Sequence, residues 1–323
     1  MNGWESAFHF DSLVWDWIIA IYLFLAGMSA GAVMIAIYLK RKVIEGDPAN
    51  NGIMKAMAWL APFGIIAGLV ILIFHLTKPL EFWKIMIYYN PSSVMSMGVI
   101  LFQVYMIVLF VWIGVLFRHP IVSFFEGKLP SGLLDFVDGF LIKSGKYTNA
   151  IELFLGFLAV VLAAYTGFLL SALKTYPMLN NPVLPILFLF SSLSSGAAAS
   201  LLFGILVFKE SAHSPSVSWV HGFERPVVLF ELFVLVTFFT GLIFSGGQNE
   251  AAAWNAIGGG FWSNWFWIGV VLIGMLLPLT LNAIAPKTLK HSGGFVFIVT
   301  TLSLVGVLML RTFILYAGQM TIV

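Results

Sequence analysis

The chain has 323 residues, of which 60% are hydrophobic and 9% are charged, and its mean hydropathy is +1.00. A soluble domain carries roughly 25% charged residues, so this composition excludes a water-soluble globule. Cysteine is absent, which excludes disulfides, thiolate-bound iron–sulfur clusters and covalently attached c-type haem in this protein. The 16 Lys and Arg residues are scattered along the loops and leave a net charge of only +2, a pattern that does not indicate nucleic-acid binding.

Apolar runs of about 20 residues, long enough to cross a bilayer, recur along the sequence and predict an all-α integral membrane protein. We interpret residues 1–323 as one polytopic membrane domain with no separate soluble domain. The first twelve residues contain no Lys or Arg, unlike a signal peptide, so span 1 is expected to be retained. The predicted spans 1 to 8 cover residues 14–38, 53–76, 93–117, 147–173, 183–208, 223–244, 261–284 and 293–317.

The basic residues lie mostly on one side of the predicted membrane. The side with the termini holds Lys78, Lys84 and Lys174, and Arg311 lies within span 8. The positive-inside rule therefore predicts that both termini are periplasmic in a bacterial inner-membrane protein. The other twelve basic residues lie on the opposite side, in the loops after spans 1, 3, 5 and 7 and at the adjoining helix ends: Lys40, Arg41, Lys42, Lys55, Arg118, Lys128, Lys143, Lys146, Lys209, Arg225, Lys287 and Lys290.

Two further patterns concern the arrangement of the helices. Small residues cluster at 27–31 in span 1 and at 194–197 in span 5. These spans run in the same direction, so the clusters suggest a repeat of two four-helix bundles, spans 1–4 (about 14–173) and spans 5–8 (about 183–317). Alternatively, small residues simply let membrane helices pack closely. The long loop after span 3 contains GKLPSGLLDFVDGF, which predicts a short interfacial helix.

Two acids in span 6 are candidates for a proton pathway. Glu224 and Glu231 are seven residues apart, which places them two turns, or about 10 Å, apart on one helical stripe. An ionisable group at bilayer depth is costly and usually functional. Glu224 has an alternative interpretation as an ordinary acid in the first turn of a helix, whereas Glu231 lies within an apolar run.

Arg311 and His75 are the other ionisable residues predicted at membrane depth. Arg311 requires a carboxylate or a ligand oxygen, and pairing with Glu231 or Asp16 would give it a purely structural role. His75 is the only histidine within a predicted span. A membrane b-type haem usually needs two axial histidines, so no haem is expected. His75 either exchanges a proton or simply lies at the membrane interface.

Two tyrosines lie too deep for the aromatic belt at the membrane surface. Tyr165 in span 4 and Tyr22 in span 1 are each about two turns from the outward end. An amphipathic ligand that forms hydrogen bonds, such as a quinone ring, suits such side chains, and a transporter substrate suits them nearly as well. The outward half of the membrane is predicted to hold Asp16, Tyr22, His75, Lys78, Tyr165 and Arg311.

Six stretches of the sequence are distinctive: FHFDSLVWDWIIAIYLFLAGMSAG, FHLTKPLEFWKIM, SSVMSMGVILFQ, AYTGFLLSALKTYPMLNNPVLPILFLFSSLSSGAA, GGGFWSNWFWIGV and LVGVLMLRTFILYAGQ. In these stretches the sequence resembles a known family, that of the NrfD and polysulfide-reductase membrane subunits. The resemblance spans essentially the whole sequence.

The resemblance implies an eight-helix, quinone-reactive anchor of two four-helix bundles with no cofactor of its own. In the family, the quinol site lies toward the periplasm and uses a tyrosine of the fourth helix, which matches Tyr165, while Tyr22 matches a helix-1 position. His75 stands where relatives carry a carboxylate, which is a departure from the family pattern. The helix-6 acids and the helix-8 arginine match Glu224, Glu231 and Arg311.

The resemblance also implies partners. A periplasmic ferredoxin-like protein with four iron–sulfur clusters would take electrons from menaquinol or ubiquinol and pass them to a multihaem cytochrome c that reduces nitrite to ammonium. Relatives in polysulfide, thiosulfate and tetrathionate reduction share the scaffold. Two other hypotheses are a proton-coupled secondary transporter and a passive anchor in which Glu231 and Arg311 form a buried ion pair.

Overall fold

The computed structural model describes residues 3–76, 78–290 and 292–321, and all regular secondary structure in these ranges is helical. The prediction of eight spans is confirmed, because eight helices there are long and apolar enough to cross a membrane. We label these helices α1 to α8: Trp17–Lys42, Gly52–His75, Val94–Leu116, Thr148–Ser171, Leu184–Leu206, Pro215–Ser245, Gly260–Ile284 and Gly293–Gln319.

Capping side chains fix where several of these helices begin. Asp16, Asn51 and Ser93 each accept hydrogen bonds from backbone N–H groups in the first turn of α1, α2 and α3, which satisfies donors that have no partner within the helix. Helix α6 begins at Pro215, after the cap Ser214. The predicted start at residue 223 was therefore wrong, because the polar stretch before it is helical too.

Both ends of the described protein meet at one face of the molecule, which we call the terminal face. Ser12 Oγ donates to the Gln319 carbonyl over 2.6 Å, and Gln319 Oε1 accepts from the backbone of Val14 and Trp15. The other end of the helices is the opposite face. There, the loop after α3 forms helices Arg118–Phe125 and Ser131–Gly145, which confirms a helix in this loop.

Helices α1 and α5 pack closely at the centre of the molecule. A Cβ atom on Gly31 would overlap the backbone of Ser192, and one on Gly196 would overlap the backbone of Gly31. The two small-residue clusters therefore permit backbone-to-backbone contact. Around this centre, α1 also contacts α2, α4 and α8, while α5 contacts α2, α4, α6 and α8.

Candidate functional site

Two buried tyrosines face a narrow cleft near the terminal face. Tyr22 of α1 is 4% exposed and Tyr165 of α4 is 7% exposed. The Phe102 ring of α3 lies between them, with its centroid 5.8 Å from that of Tyr22 and 6.1 Å from that of Tyr165. The cleft has a volume of about 50 Å³, and its remaining walls are Trp15, Ile19, Leu69, Leu72, Met95, Val99 and Leu169.

The position of Tyr165 depends on a glycine in the facing helix. The Tyr165 hydroxyl donates a hydrogen bond to the Val94 carbonyl over 3.2 Å, at the first residue of α3. A Cβ atom on Gly98, one turn further along α3, would overlap the Tyr165 hydroxyl and ring. The phenol therefore reaches across the cleft only because Gly98 has no side chain.

A carboxylate and an imidazole lie beside this cleft. His75 Nδ1, at the last residue of α2, is 3.9 Å from Asp16 Oδ2, and both side chains are about a third exposed. Asp16 also caps α1 through a 3.0 Å bond from the Ile18 N–H. The preceding residue, Trp15, lines the cleft. Lys78 is exposed and begins the short turn Pro79–Glu81, so it lies outside the cleft.

Arg311 is fully buried between helices and does not line the cleft. Its Nη1 donates to Thr166 Oγ1 over 2.9 Å, and its Nη2 donates to Ser191 Oγ and Ser192 Oγ over 2.8 and 3.0 Å. The guanidinium carbon also lies 3.9 Å from the centroid of the Phe188 ring. Arg311 is thus held by neutral oxygens and an aromatic face. It is connected to the cleft through Thr166, which follows the cleft residue Tyr165 on α4.

The two acids of α6 are buried, as expected for functional groups. Glu224 is 6% exposed and Glu231 is 1% exposed, and within the described residues one carboxylate oxygen of each has no hydrogen-bond partner. Because α6 begins at Pro215, Glu224 lies more than two turns inside the helix. The alternative that Glu224 is an ordinary first-turn acid is therefore wrong.

Glu224 lines a polar cavity of about 440 Å³ toward the opposite face. His221, one turn earlier on α6, places its Nδ1 3.8 Å from Glu224 Oε2. Ser194 of α5 and Ser303 of α8 contribute hydroxyl groups to the walls. Glu231 lies beyond this cavity, two turns further along α6 toward the terminal face. Glu224 thus lies toward the opposite face, away from the tyrosine cleft, whereas Glu231 lies near the middle of α6.

Sequence reasoning missed one buried charged group. Glu152, at the opposite-face end of α4, is 1% exposed and accepts hydrogen bonds from Lys40, Arg41 Nε at 2.7 Å and Trp112 Nε1 at 3.2 Å. A lone acid within span 4 was the available signal, but its three partners come from two other helices. Among the described residues, no group of three or more His, Asp or Glu side chains is arranged to hold a metal ion.

Eight apolar helices with buried polar groups define an integral membrane protein of the multi-pass helical class. The family model described as "Polysulphide reductase, NrfD" matches residues 5–323, so the protein belongs to the NrfD family and is a multi-pass protein of the bacterial inner membrane. It is 48% identical over 318 residues to "Protein NrfD" of Escherichia coli K12, and the match covers 98% of both sequences.

Two further relatives match this protein over nearly the full length of both sequences. The protein is 46% identical over 315 residues to "Protein NrfD homolog" of Haemophilus influenzae, covering 98% of this sequence and 97% of the relative. It is 44% identical over 322 residues to the C subunit of polysulfide reductase from Wolinella succinogenes, again covering 98% of both sequences. The relatives thus include one named as a subunit of a reductase.

Proposed function

We propose that this protein is the quinol-oxidising membrane anchor subunit of a respiratory complex. The observation that carries the proposal is the cleft near the terminal face, where the phenols of Tyr22 and Tyr165 lie on either side of Phe102. Aromatic walls suit a planar ring, and phenolic hydroxyls suit its two oxygens. The cleft of about 50 Å³ would have to widen to admit the ring. Membership of a family whose members include the C subunit of polysulfide reductase supports the same conclusion.

Oxidation of a quinol releases two electrons and two protons, so the site needs proton acceptors as well as a binding cleft. The Tyr165 hydroxyl would hydrogen-bond one quinol oxygen, exchanging its bond to the Val94 carbonyl for a bond to the substrate. His75, close to Asp16, would accept a proton on a ring nitrogen, and the Asp16 carboxylate would stabilise the resulting positive charge. Tyr22 would contact the ring, and Lys78 would add positive charge outside the cleft.

The role of Arg311 in this proposal is electrostatic. It is a buried cation bonded to Thr166, the residue after Tyr165, and would stabilise negative charge that develops on the quinol during oxidation. Glu224 lines the polar cavity, and Glu231 lies two turns further along α6 toward the terminal face. These acids would connect the site to the opposite face as a proton pathway.

The distribution of charge supports one orientation of the protein in the membrane. Three cations in the terminal-face loops against twelve at the opposite face favour a periplasmic terminal face. The two proposed four-helix bundles, α1–α4 and α5–α8, would meet at the central α1–α5 contact. Electrons would leave toward a periplasmic ferredoxin-like four-cluster iron–sulfur protein and then a multihaem cytochrome c that reduces nitrite. The 48% identity to a protein named NrfD supports this pathway.

The test is the binding of a fluorescent quinol analogue to the purified protein. Tyr165→Phe should weaken binding about fivefold or more, as expected for the loss of a hydrogen bond worth ~1 kcal/mol. Tyr105→Phe is the matched control, because Tyr105 is fully buried, bonds Ser29 and does not line the cleft. Wild-type affinity in a folded Tyr165→Phe protein would contradict the proposed role.

A further inference from the structure

An apolar groove separates α2 from α8 on the outside of the molecule. It has a volume of about 430 Å³, and every residue that lines it is apolar. Trp59 and Phe63 of α2 form one wall and are 72% and 64% exposed, while Val305 of α8 in the other wall is 42% exposed. Helices α1 and α5 form its floor, where Ala199 supplies only a methyl group. The groove is therefore a concave, lipid-facing surface.

The groove begins near the opposite face and extends past the middle of the membrane, since Phe24 in its wall lies eighteen residues, or about 27 Å, from the opposite-face end of α1. Phe203 lies three residues from the opposite-face end of α5, and Leu308 lies fifteen residues from the opposite-face end of α8. These positions are about 5 and 22 Å from the helix ends, in a helix α8 of 27 residues that is about 40 Å long. The acyl chains of the opposite-face leaflet are the apolar groups that meet the groove at its end near that face.

Two lysines lie near the opposite-face ends of helices that form the groove. Lys55 is four residues before Trp59 on α2, so it occupies the same helical stripe one turn nearer this face. Lys209 follows Phe208, which packs against the buried cluster that includes the groove residues Met28 and Leu60. An apolar groove with cations at its mouth is complementary to an anionic phospholipid, whose acyl tails and phosphate have the same arrangement.

The backbone of Lys209 gives an independent indication. Its φ of +54° is the only positive φ among the described non-glycine residues, and the Glu210 N–H closes the end of α5 on the Gly204 carbonyl over 2.9 Å. Glycine is the usual residue in this left-handed position after a helix. A lysine there costs backbone strain and adds a cation at the mouth of the groove.

The isoprenoid tail of a quinol bound in the tyrosine cleft has no direct route into the groove. The cleft lies on the α3–α4 side of the α1–α2 pair, and the groove lies on its α5–α8 side. Between them the pair is closed, because a Cβ atom on Gly64 would lie 2.9 Å from the Leu25 carbonyl oxygen and one on Gly68 would lie 3.4 Å from the Tyr22 ring.

We propose that this groove is a binding site for an anionic phospholipid of the leaflet at the opposite face, with an acyl tail in the groove and the phosphate at Lys55 and Lys209. The lipid would fill the space between α2 and α8 and so brace the two halves of the helical assembly. This site is independent of quinol oxidation.

The experiment is native mass spectrometry of the full-length protein, titrated with phosphatidylglycerol or with phosphatidylcholine of the same acyl composition. Wild type should bind phosphatidylglycerol more tightly. Lys55→Gln and Lys209→Gly should each weaken that binding about fivefold, the equivalent of about 1 kcal/mol per lysine. Glycine accepts a positive φ readily, so Lys209→Gly removes the cation without straining the fold. Lys146→Gln removes an exposed cation on another loop and serves as the matched control.

A second variant tests the groove itself. Val305→Phe adds bulk to an exposed wall residue and should weaken the binding of both lipids. Equal affinity of wild type for the two lipids would overturn the proposal, as would unchanged phosphatidylglycerol binding in both Lys55→Gln and Lys209→Gly. Loss of co-purified quinone in Val305→Phe with lipid binding intact would identify a quinol tail as the occupant. Loss of a dimer with lipid binding intact would identify a second copy of this protein.

Discussion

At the scale of single residues, the cleft depends on the absence of a side chain as much as on the phenols. Tyr165 can extend its hydroxyl to the start of α3 because Gly98 leaves room for the ring. The hydroxyl is then held over the cleft in one position by a single bond to a backbone carbonyl. A quinol oxygen that replaces this carbonyl would meet a donor that is already oriented.

Gly98→Ala should therefore impair quinol oxidation without harming the fold. Its new methyl group displaces the Tyr165 hydroxyl, and a misplacement of ~1 Å should lower the rate by roughly tenfold or more. Alanine also favours a helix over glycine by ~1 kcal/mol. The rate is measured in membranes that contain the assembled complex, with Gly132→Ala as control because a Cβ atom there meets nothing within 4 Å. An unchanged rate for Gly98→Ala would show that the position of Tyr165 does not matter.

At the scale of helices, hydropathy predicted all eight spans and most of their ends. It failed at α6, because Ser214 and Pro215 begin the helix within a polar stretch that reads as a loop. The error changed the interpretation of Glu224, which lies inside the helix and not in its first turn.

The grouping of side chains around the candidate site was harder to predict than the helices. The positions of Arg311 and Tyr165 along their predicted spans placed both residues at a similar depth, which agrees with the structure. Their side chains nevertheless contact different helices. Arg311 turns toward the serines of α5, and Tyr165 turns toward α3. The face that a helix presents to each of its neighbours depends on how the helices pack together. The hydropathy of a single sequence does not contain this information.

The helices of the α3–α4 loop offer a prediction about pH. Arg118 donates two hydrogen bonds to Asp138, over 2.6 and 3.0 Å, and this bonding lowers the pKa of the Asp138 carboxyl from its usual value. The unfolded pKa is about 3.9. The pair therefore contributes stability above about pH 4, and this contribution is lost as the pH falls through the lower, folded pKa.

Hydrogen exchange of residues 118–145 between pH 7 and pH 3, corrected for intrinsic exchange rates, measures this effect. Protection should fall at the acid end in wild type. Arg118→Gln should remove most of the pH dependence, because the carboxyl then loses its partner. An equal loss of protection at acid pH in wild type and in Arg118→Gln would show that groups other than this pair cause the loss. The effect should be modest, since both side chains are about a third exposed.

At the scale of the whole molecule, the proposed direction of electron flow depends on which side the terminal face occupies. The absence of cysteine allows a direct test by single-cysteine variants. Gln248→Cys at the terminal face should react with a membrane-impermeant maleimide in intact spheroplasts. Glu126→Cys at the opposite face should react only after permeabilisation. The reverse pattern would place the tyrosine cleft on the cytoplasmic side and contradict a periplasmic electron acceptor.

The central claim is that quinol binds in the cleft between Tyr22 and Tyr165. The most direct test is photolabelling of native membranes with an azidoquinone, followed by peptide mapping. Label should fall on residues that line the cleft, such as Trp15, Met95 and Leu169, and unlabelled quinol should compete with it. Label confined to the cavity beside Glu224, or label that unlabelled quinol does not displace, would contradict quinol binding in the cleft.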